Sequence, residues 1–422
     1  MHSVTNAIPT GTIASIPAKA HAHRALICAA LANSPSTILL SRTSKDIDAT
    51  MDSLRGLGAH VVYENKIVTV TPGPAPAKGN VVPHESGTTL RLLLPVAASI
   101  CNDVDVDAKG RLPDRPLEPM LGEMKAHGVT FSQDKPPFTM TGRLQEGNFS
   151  MVGDVSSQFF SGLLLAAPQI GLSTITSTTP LQSSDYVTLT TETMRDFGVE
   201  VEHTLPDTNI NEAFTVPFGA YFIGRDNYQI EGDWSNAAIW MVAAGMTGKP
   251  ITITGMNKNS VQADRRIMQV MIDAGCDVVW DGMNVTVTGR ASKPIHADLE
   301  QMPDMLPVMA ALACSISGES SFVKGARLRL KESDRLVAVA NLVKDLGGTV
   351  REEGDDLYII GSGILKGGHG DCVNDHRLVM AGTLMALISE NPVTLQDSEA
   401  ITKSYPHFFE DWNLLGGNAQ PV

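Results

Sequence analysis

With 422 residues, 43% of them hydrophobic and 18% charged, and a mean hydropathy near zero, the chain is globular rather than disordered. It is too long for one ordinary core, so at least two domains are predicted. A net charge of −14 excludes nucleic acid and an anionic membrane as natural partners, since both demand clustered positive charge.

No apolar run approaches the ~20 residues of a membrane span, and the N-terminus shows no basic-then-apolar leader. The five cysteines (Cys28, Cys101, Cys276, Cys314 and Cys372) are scattered and form no CxxC pair. A cytoplasmic protein with reduced, mostly core cysteines is expected, with no metal and no disulfide framework.

In chain order, two phrases alternate. The first is a small polar or acidic opener before a helix crowded with Ala and Leu: HAHRALICAALA near His21, SGTTLRLLLPVAA near Ser86, SSQFFSGLLLAAP near Ser156, DWSNAAIWMVAAG near Asp233, DMLPVMAALACSISG near Asp304, and DHRLVMAGTLMALIS near Asp375. Such helices read as buried, with Ser or Asp as their N-caps. The second phrase is the end of an amphipathic helix, a glycine, and two short strands rich in Val, Ile or Thr. It runs from Leu54, Met124, Met194, Met271 and Leu342, with a truncated ending, DWNLLGG, from Asp411.

The glycines are Gly58, Gly128, Gly198, Gly275, Gly347 and Gly416, spaced by 70, 70, 77, 72 and 69 residues. Six α/β units therefore fill the chain, each glycine being the left-handed residue that ends its helix. The widest interval contains HTLPDTNINEAFTVPFGAYFIGRDNYQIEGD, a strand-rich stretch that marks the joint between two halves of three units.

Five runs put basic residues at or beside the predicted openings of buried helices: PAKAHAHRAL (Lys19, Arg24), ESGTTLR (Arg91), RLKESDRL (Lys331, Arg335), NDHR (Arg377) and ITKSYP (Lys403). A cation opposes the positive end of a helix dipole unless an anion sits there, so these runs read as anion sites. Lys331 and Arg335, four apart, are predicted to share a helix face, with Glu332 three before Arg335. A carboxylate among fixed cations is a candidate for proton transfer. The plainer alternative is a solvated helix start with one salt bridge.

DHR equally reads as an N-cap with a surface pair, and Asp304 as an N-cap alone. Ser156, Ser157 and Gln158 offer two hydroxyls and an amide at one helix start, either a neutral phosphate cradle or an ordinary cap. No Ser-His-Asp arrangement, HExxH or GxxxxGK[ST] motif supports covalent, zinc or nucleotide-hydrolysing chemistry.

At these runs the chain resembles the enolpyruvyl transferases, specifically the 5-enolpyruvylshikimate-3-phosphate synthases, along essentially its whole length. The matching residues are Lys19 and Arg24, ESGTTLR at Glu85 to Arg91, DRPLEPML at Asp114 to Leu121, VSSQF at Val155 to Phe159, MPD at Met302 to Asp304, KESDRL at Lys331 to Leu336, NDHR at Asn374 to Arg377, and TKSYP at Thr402 to Pro406. The resemblance implies the α/β two-domain enolpyruvyl transferase fold. This is an inside-out α/β barrel of six βαβαββ repeats, three per domain, closing like a clamp on its substrates. One domain would span 15–230; the other would join 1–14 to 231–422, with crossings near Ile13 to Ile16 and Glu231 to Asp233.

It further implies transfer of the enolpyruvyl group of phosphoenolpyruvate to the 5-hydroxyl of shikimate 3-phosphate, releasing phosphate through a tetrahedral intermediate. That is a step of the shikimate pathway of aromatic amino-acid biosynthesis, carried out by a monomer without cofactor or metal. By the same resemblance, Asp304 is the base, and Glu332 and Lys19 carry protons. Lys19, Gly87, Arg91, Arg115, Gln158, Arg335, Arg377 and Lys403 belong to the phosphoenolpyruvate site, with Gly87 closely approaching that ligand. Lys19, Arg24, Ser156, Ser157, Gln158, Ser183, Tyr186, Asp304 and Lys331 belong to the shikimate 3-phosphate site.

The chain also departs from the pattern. Pro17-Ala18-Lys19-Ala20 stands where the family reads Pro-(Gly)-Ser-Lys-Ser, and the serine missing at Ala20 helps hold the shikimate carboxylate. A hydrogen bond to a charged group is worth ~1.5–3 kcal/mol, so acceptor affinity is expected to fall one to two orders of magnitude unless His21 or His23 compensates. Arg327 stands where some members use Asn, and SSDY replaces the usual SKPY.

Two rival readings stand beside the main one. Transfer to UDP-N-acetylglucosamine by the sister family fits KESDRL, DRP and VSSQ less well and lacks a loop cysteine, because Cys28 lies in a predicted buried helix and Cys101 precedes DVDVD. A weakened paralogue that only binds a shikimate-like phosphate is suggested by Ala18 and Ala20 and opposed by Asp304, Glu332, Lys19 and Lys403.

Overall fold

The Ala- and Leu-rich segments all form helices, and four of the six start on the cap their sequence offers. Ser86 accepts from the Thr89 N–H ahead of Gly87–Ile100, and Ser156 from the Gln158 N–H ahead of Ser157–Ile170. Asp233 accepts from the Asn236 N–H before Trp234–Thr247, and Asp375 from the Arg377 N–H before His376–Met385. Two starts differ from expectation. The first helix is Lys19–Ala30, beginning before His21, and its N-cap Ala18 has no side chain to offer. Asp304 caps nothing: it sits in a 3-10 turn, Pro303–Met305, and Leu306–Ser315 follows with Pro307 in its first turn. Pro307 has no N–H to satisfy, which leaves the Asp304 carboxylate for other partners.

The computed structural model describes residues 1–207 and 211–422; residues 208–210, within the stretch read as the joint, lie outside the described residues. All six repeat glycines have φ between 87° and 104°, as the end of each outer helix requires.

Among the described residues, six four-stranded sheets share one order, a parallel pair at one edge followed by two antiparallel neighbours. In the second repeat, for example, Gly79–His84 runs parallel to Asp103–Ala108, which pairs antiparallel with Phe138–Thr141 and through it with Thr130–Phe131. The first strands of repeats one and four are exchanged. Gly11–Ala14 precedes the helix Lys19–Ala30 in the chain but pairs with Ile251–Thr254, whereas Tyr228–Gln229 precedes Trp234–Thr247 but pairs with Ser36–Leu39. The truncated sixth repeat is completed by the N-terminus, because His2–Thr5 lies between Val393–Gln396 and Asn418–Pro421, antiparallel to both.

The chain thus forms two compact units, Met1–Ile16 with Glu231–Val422, and Pro17–Ile230. In each, the apolar helices are buried and the strands alternate buried and open positions, as a sheet covering a core on one face must. One core gathers Trp234, Trp240, Tyr405, Phe408 and Trp412; the other gathers Phe149, Phe159, Phe160, Phe197 and Phe222. All five cysteines are buried and free. Among the described residues, no helix is long and apolar enough to cross a membrane.

Candidate active site

In the unit Pro17–Ile230, the basic residues sit near helix starts, as expected. Lys19 is the first residue of its helix, and its Nζ lies 2.8 Å from Asp46 Oδ2. Asp46 belongs to the first turn of Lys45–Gly56, a helix capped by Ser44. One turn beyond Lys19, the Arg24 guanidinium is fully enclosed. It donates to Thr190 Oγ1 (2.7 Å), Ser161 Oγ (3.3 Å) and the carbonyls of Ala20 (2.7 Å) and Tyr186 (2.9 Å). Burial pulls its pKa down to about 10.

Arg91 donates to Gln158 Oε1 and to the Pro116 carbonyl, each at 3.1 Å, and lies over the Phe159 ring. Gln158 donates in turn to Thr88 Oγ1 at 2.9 Å. A Cβ on Gly87 would come within 2.7 Å of Arg115 Nη1, so a side chain there would displace that guanidinium. Gly87, Arg91, Arg115 and Gln158 are thereby brought together. Ser156, Ser157 and Ser183 are buried, and Ser183 holds a positive φ of 54°.

The two histidines near Ala20 face inward. His23 is sealed with Nδ1 2.6 Å from Thr50 Oγ1, and His21 Nε2 lies 2.8 Å from the Tyr228 hydroxyl. Burial, helped by Arg24, lowers His21 to about 4; burial with Lys19 and Arg24 holds His23 well below the imidazole range.

In the other unit, Arg335 is 1% exposed and lies among three carboxylates. It donates to Asp375 (2.9 and 3.2 Å), to Asp304 Oδ1 (2.7 Å) and to Glu332 Oε2 (2.6 Å). Lys331 Nζ stands 3.1 Å from the same Asp304 oxygen. The expected shared helix face of Lys331 and Arg335 does not form. Asp334 caps the helix Arg335–Asp345, so Lys331 and Glu332 lie in the bend before it and reach the cluster from there. Burial opposes charge on Asp304, but Lys331, Arg335 and Arg377 override it and hold the carboxyl far below its usual range. Burial likewise opposes the charge of Arg335, and Asp375, Glu332 and Asp304 keep it firmly protonated.

Lys403 does not open a helix. It ends the 3-10 segment Ser398–Lys403, with Nζ donating to the Asn374 carbonyl at 2.8 Å, beside Val373 and Asn374 in left-handed conformations. Arg377, second in its helix, donates to the Ser235 carbonyl at 3.0 Å.

Three acids escaped the sequence reading as site residues. Asp46 shows only as an acid in a helix's first turn. Asp375 was visible as a cap but not as the fully buried partner of Arg335. Asp264, in the turn Ala263–Arg266, carries no motif; it accepts from Ser235 Oγ, and burial with nearby Asp304 raises its pKa to about 6. Chemically, one unit presents cations backed by neutral oxygens and one carboxylate. The other presents cations interleaved with acids, suited to holding an anion while moving a proton.

The model of the family described as EPSP synthase (3-phosphoshikimate 1-carboxyvinyltransferase) matches residues 7–412. The chain is 36% identical over 412 residues to the 3-phosphoshikimate 1-carboxyvinyltransferase of Clostridium kluyveri, covering 96% of this chain and 95% of that one. It is 34% identical over 417 residues to the enzyme of the same name from Methanocorpusculum labreanum, covering 97% of each. The EPSP synthase of Acinetobacter baumannii matches in fold with a TM-score of 0.81 at 23% identity, covering 99% of both chains.

Proposed function

Because the chain belongs to the EPSP synthase family, we propose that its two sets of cations and carboxylates divide one reaction between them. The enzyme transfers the enolpyruvyl group of phosphoenolpyruvate to the 5-hydroxyl of shikimate 3-phosphate and releases phosphate. In the proposed division, Asp304 takes the hydroxyl proton, while Glu332 and Lys19 deliver and recover the proton at the methylene carbon. Gly87, Arg91, Arg115, Gln158, Arg335, Arg377, Lys403 and Lys19 hold phosphoenolpyruvate. Arg24, Ser156, Ser157, Ser183, Tyr186, Lys331 and again Lys19, Gln158 and Asp304 hold the acceptor.

One observation carries this reading: Asp304 Oδ1 lies within 2.7 and 3.1 Å of two cations, and Glu332 lies 2.6 Å from the same arginine. Without substrates those cations keep Asp304 ionised. A bound phosphate or carboxylate takes a share of their field, so proton affinity at Asp304 rises as the site fills, as a base needs. Fixed guanidinium groups then meet the negative charge of the tetrahedral intermediate without reorganising.

Phosphate release with phosphoenolpyruvate and shikimate 3-phosphate, compared with UDP-N-acetylglucosamine as acceptor, tests the proposal. Turnover is expected only with the first, and its absence there would overturn the reading. The same reading makes the protein a cytoplasmic monomer acting on small anions, in keeping with its buried thiols and acidic charge. Light scattering should then give a single species of 45.0 kDa.

A further inference from the structure

Ser235, the second residue of the helix Trp234–Thr247, serves two groups at once. Its hydroxyl donates to Asp264, and its carbonyl accepts from Arg377 Nη1 at 3.0 Å. The turn bearing Asp264 is clamped to the same helix start. Gln262 accepts from the Trp234 N–H at 3.0 Å and donates to the Gly232 carbonyl at 2.9 Å and to Glu231 at 2.8 Å. Asp264 is 1% exposed, so its carboxylate is spent on the interior rather than on solvent.

We propose that Asp264 is a positioning residue for phosphoenolpyruvate: by fixing Ser235 it sets the direction of the Arg377 guanidinium. The inference rests on the reading of Arg377 as a ligand of that substrate. A buried acid with no task would be a net cost, because removing a carboxylate from water is unfavourable unless its bonds repay it. The groups facing it are Asp304 and Asp233, which disfavour its charge, and Arg377 and the Ser235 hydroxyl, which favour it. Its chain neighbours Arg265 and Arg266 donate instead to the Lys258 and Ala263 carbonyls. With burial included, the balance leaves the carboxyl titrating at about 6. An ionised carboxylate holds a hydroxyl more strongly than a neutral one, so the grip on Ser235, and through it on Arg377, tightens as pH rises through that value.

The test compares wild type, Asp264→Asn, Ser235→Ala and the double variant in steady-state kinetics from pH 5 to 8.5. At pH 8, Asp264→Asn should raise KM for phosphoenolpyruvate about tenfold, the effect of one charge-assisted bond, with kcat changed less than about threefold. The ratio of variant to wild-type KM should shrink toward one below pH 6. This ratio cancels the second ionisation of the substrate's own phosphate, which falls in the same range. The double variant should match the single ones, because both break the same bridge.

A pH-independent ratio, an unchanged KM, or additive single effects would each overturn the proposal. A purely structural role would lower the melting temperature without a pH-dependent ratio. Wild-type turnover on shikimate 3-phosphate is measured first. Its absence would defeat the functional reading, whereas normal turnover with a flat ratio would defeat only the role of Asp264.

Discussion

Arg24 and Arg91 of one unit and Arg335 of the other are buried arginines held by opposite means. Arg24 is enclosed by hydroxyl and carbonyl oxygens, and Arg91 is fixed by an amide, a carbonyl and a ring face. Arg335 is caged by Asp375, Asp304 and Glu332. Neutral oxygens orient a guanidinium while leaving its charge available to a ligand. Carboxylates also neutralise it, and in doing so become groups whose proton affinity depends on what else binds. The first arrangement suits recognition of anions, the second suits proton transfer, and the contrast can be broken or sharpened by substitution.

The largest effect is expected at Asp375. Asp375→Ala leaves Arg335 without its bidentate partner and should destabilise its unit by about 3–5 kcal/mol, as breaking a buried ion pair does. Thr190→Val, which removes one neutral acceptor of the buried Arg24, should cost less, about 1.5–3 kcal/mol. Urea unfolding followed by hydrogen exchange in Arg335–Asp345 and in Lys19–Ala30 reads the two costs separately, and equal costs would erase the distinction.

Next come the acids proposed to act on protons. Asp304→Ala and Glu332→Ala should each lower kcat by about 10²-fold or more in stopped-assay phosphate release, the usual loss of an acid–base group. Near-normal rates would return the cluster to a purely structural role.

Glu332 and Arg335 were legible in the sequence because they stand in one short run at an element start, where a cation needs an explanation; Asp304 read from its own residues only as an N-cap and drew its role from the resemblance. Asp375 and Asp264 were not. Asp375 reaches Arg335 across 40 residues of chain, a contact between neighbouring repeats, and Asp264 reaches Ser235 across 29 within one repeat, so neither contact exists until elements far apart in the chain are packed. Local pattern also misread Lys403 and the Lys331 face. Asp334 captures the helix N-cap and Lys403 turns back on Asn374, and neither choice is written in periodicity. The fold was more legible than the site, because six glycines and six apolar helices each report a local requirement. The exchange of Gly11–Ala14 with Tyr228–Gln229 and the loan of His2–Thr5 to the sixth sheet are pairing choices with no local signal.

Acidification should separate the units by sign. His21 and His23 have folded pKa values below the ordinary 6.5, so the unfolded chain binds more protons, and stability of Pro17–Ile230 falls as pH drops below 6.5. The loss attributable to His21 should reach about 2 kcal/mol near pH 4.5. Asp264 acts oppositely: its pKa is raised from 3.8 to about 6, so stability grows as pH falls through that window. Asp304, held far lower, contributes stability that is lost only below the ordinary carboxylate range. Hydrogen exchange between pH 7 and 5 should therefore show protection falling in Lys19–Ala30 while Ala263–Arg266 holds or gains. Parallel loss in both would contradict these assignments.

The smallest effect tests whether neutral oxygens suffice for anion recognition in the first unit. Ala20 lacks the hydroxyl that its family places there, and the inward bonds of His21 to Tyr228 and His23 to Thr50 leave neither ring as a natural substitute. Ala20→Ser should lower KM for shikimate 3-phosphate about tenfold, the value of one hydrogen bond to a carboxylate, with KM for phosphoenolpyruvate unchanged. The Ala20 carbonyl already accepts from Arg24 and the substitution leaves the backbone alone, so the gain isolates the hydroxyl. If KM does not move, the acceptor's carboxylate is held elsewhere in this chain. Arg327, which stands where the resemblance places Asn in some members, is then the next side chain to replace.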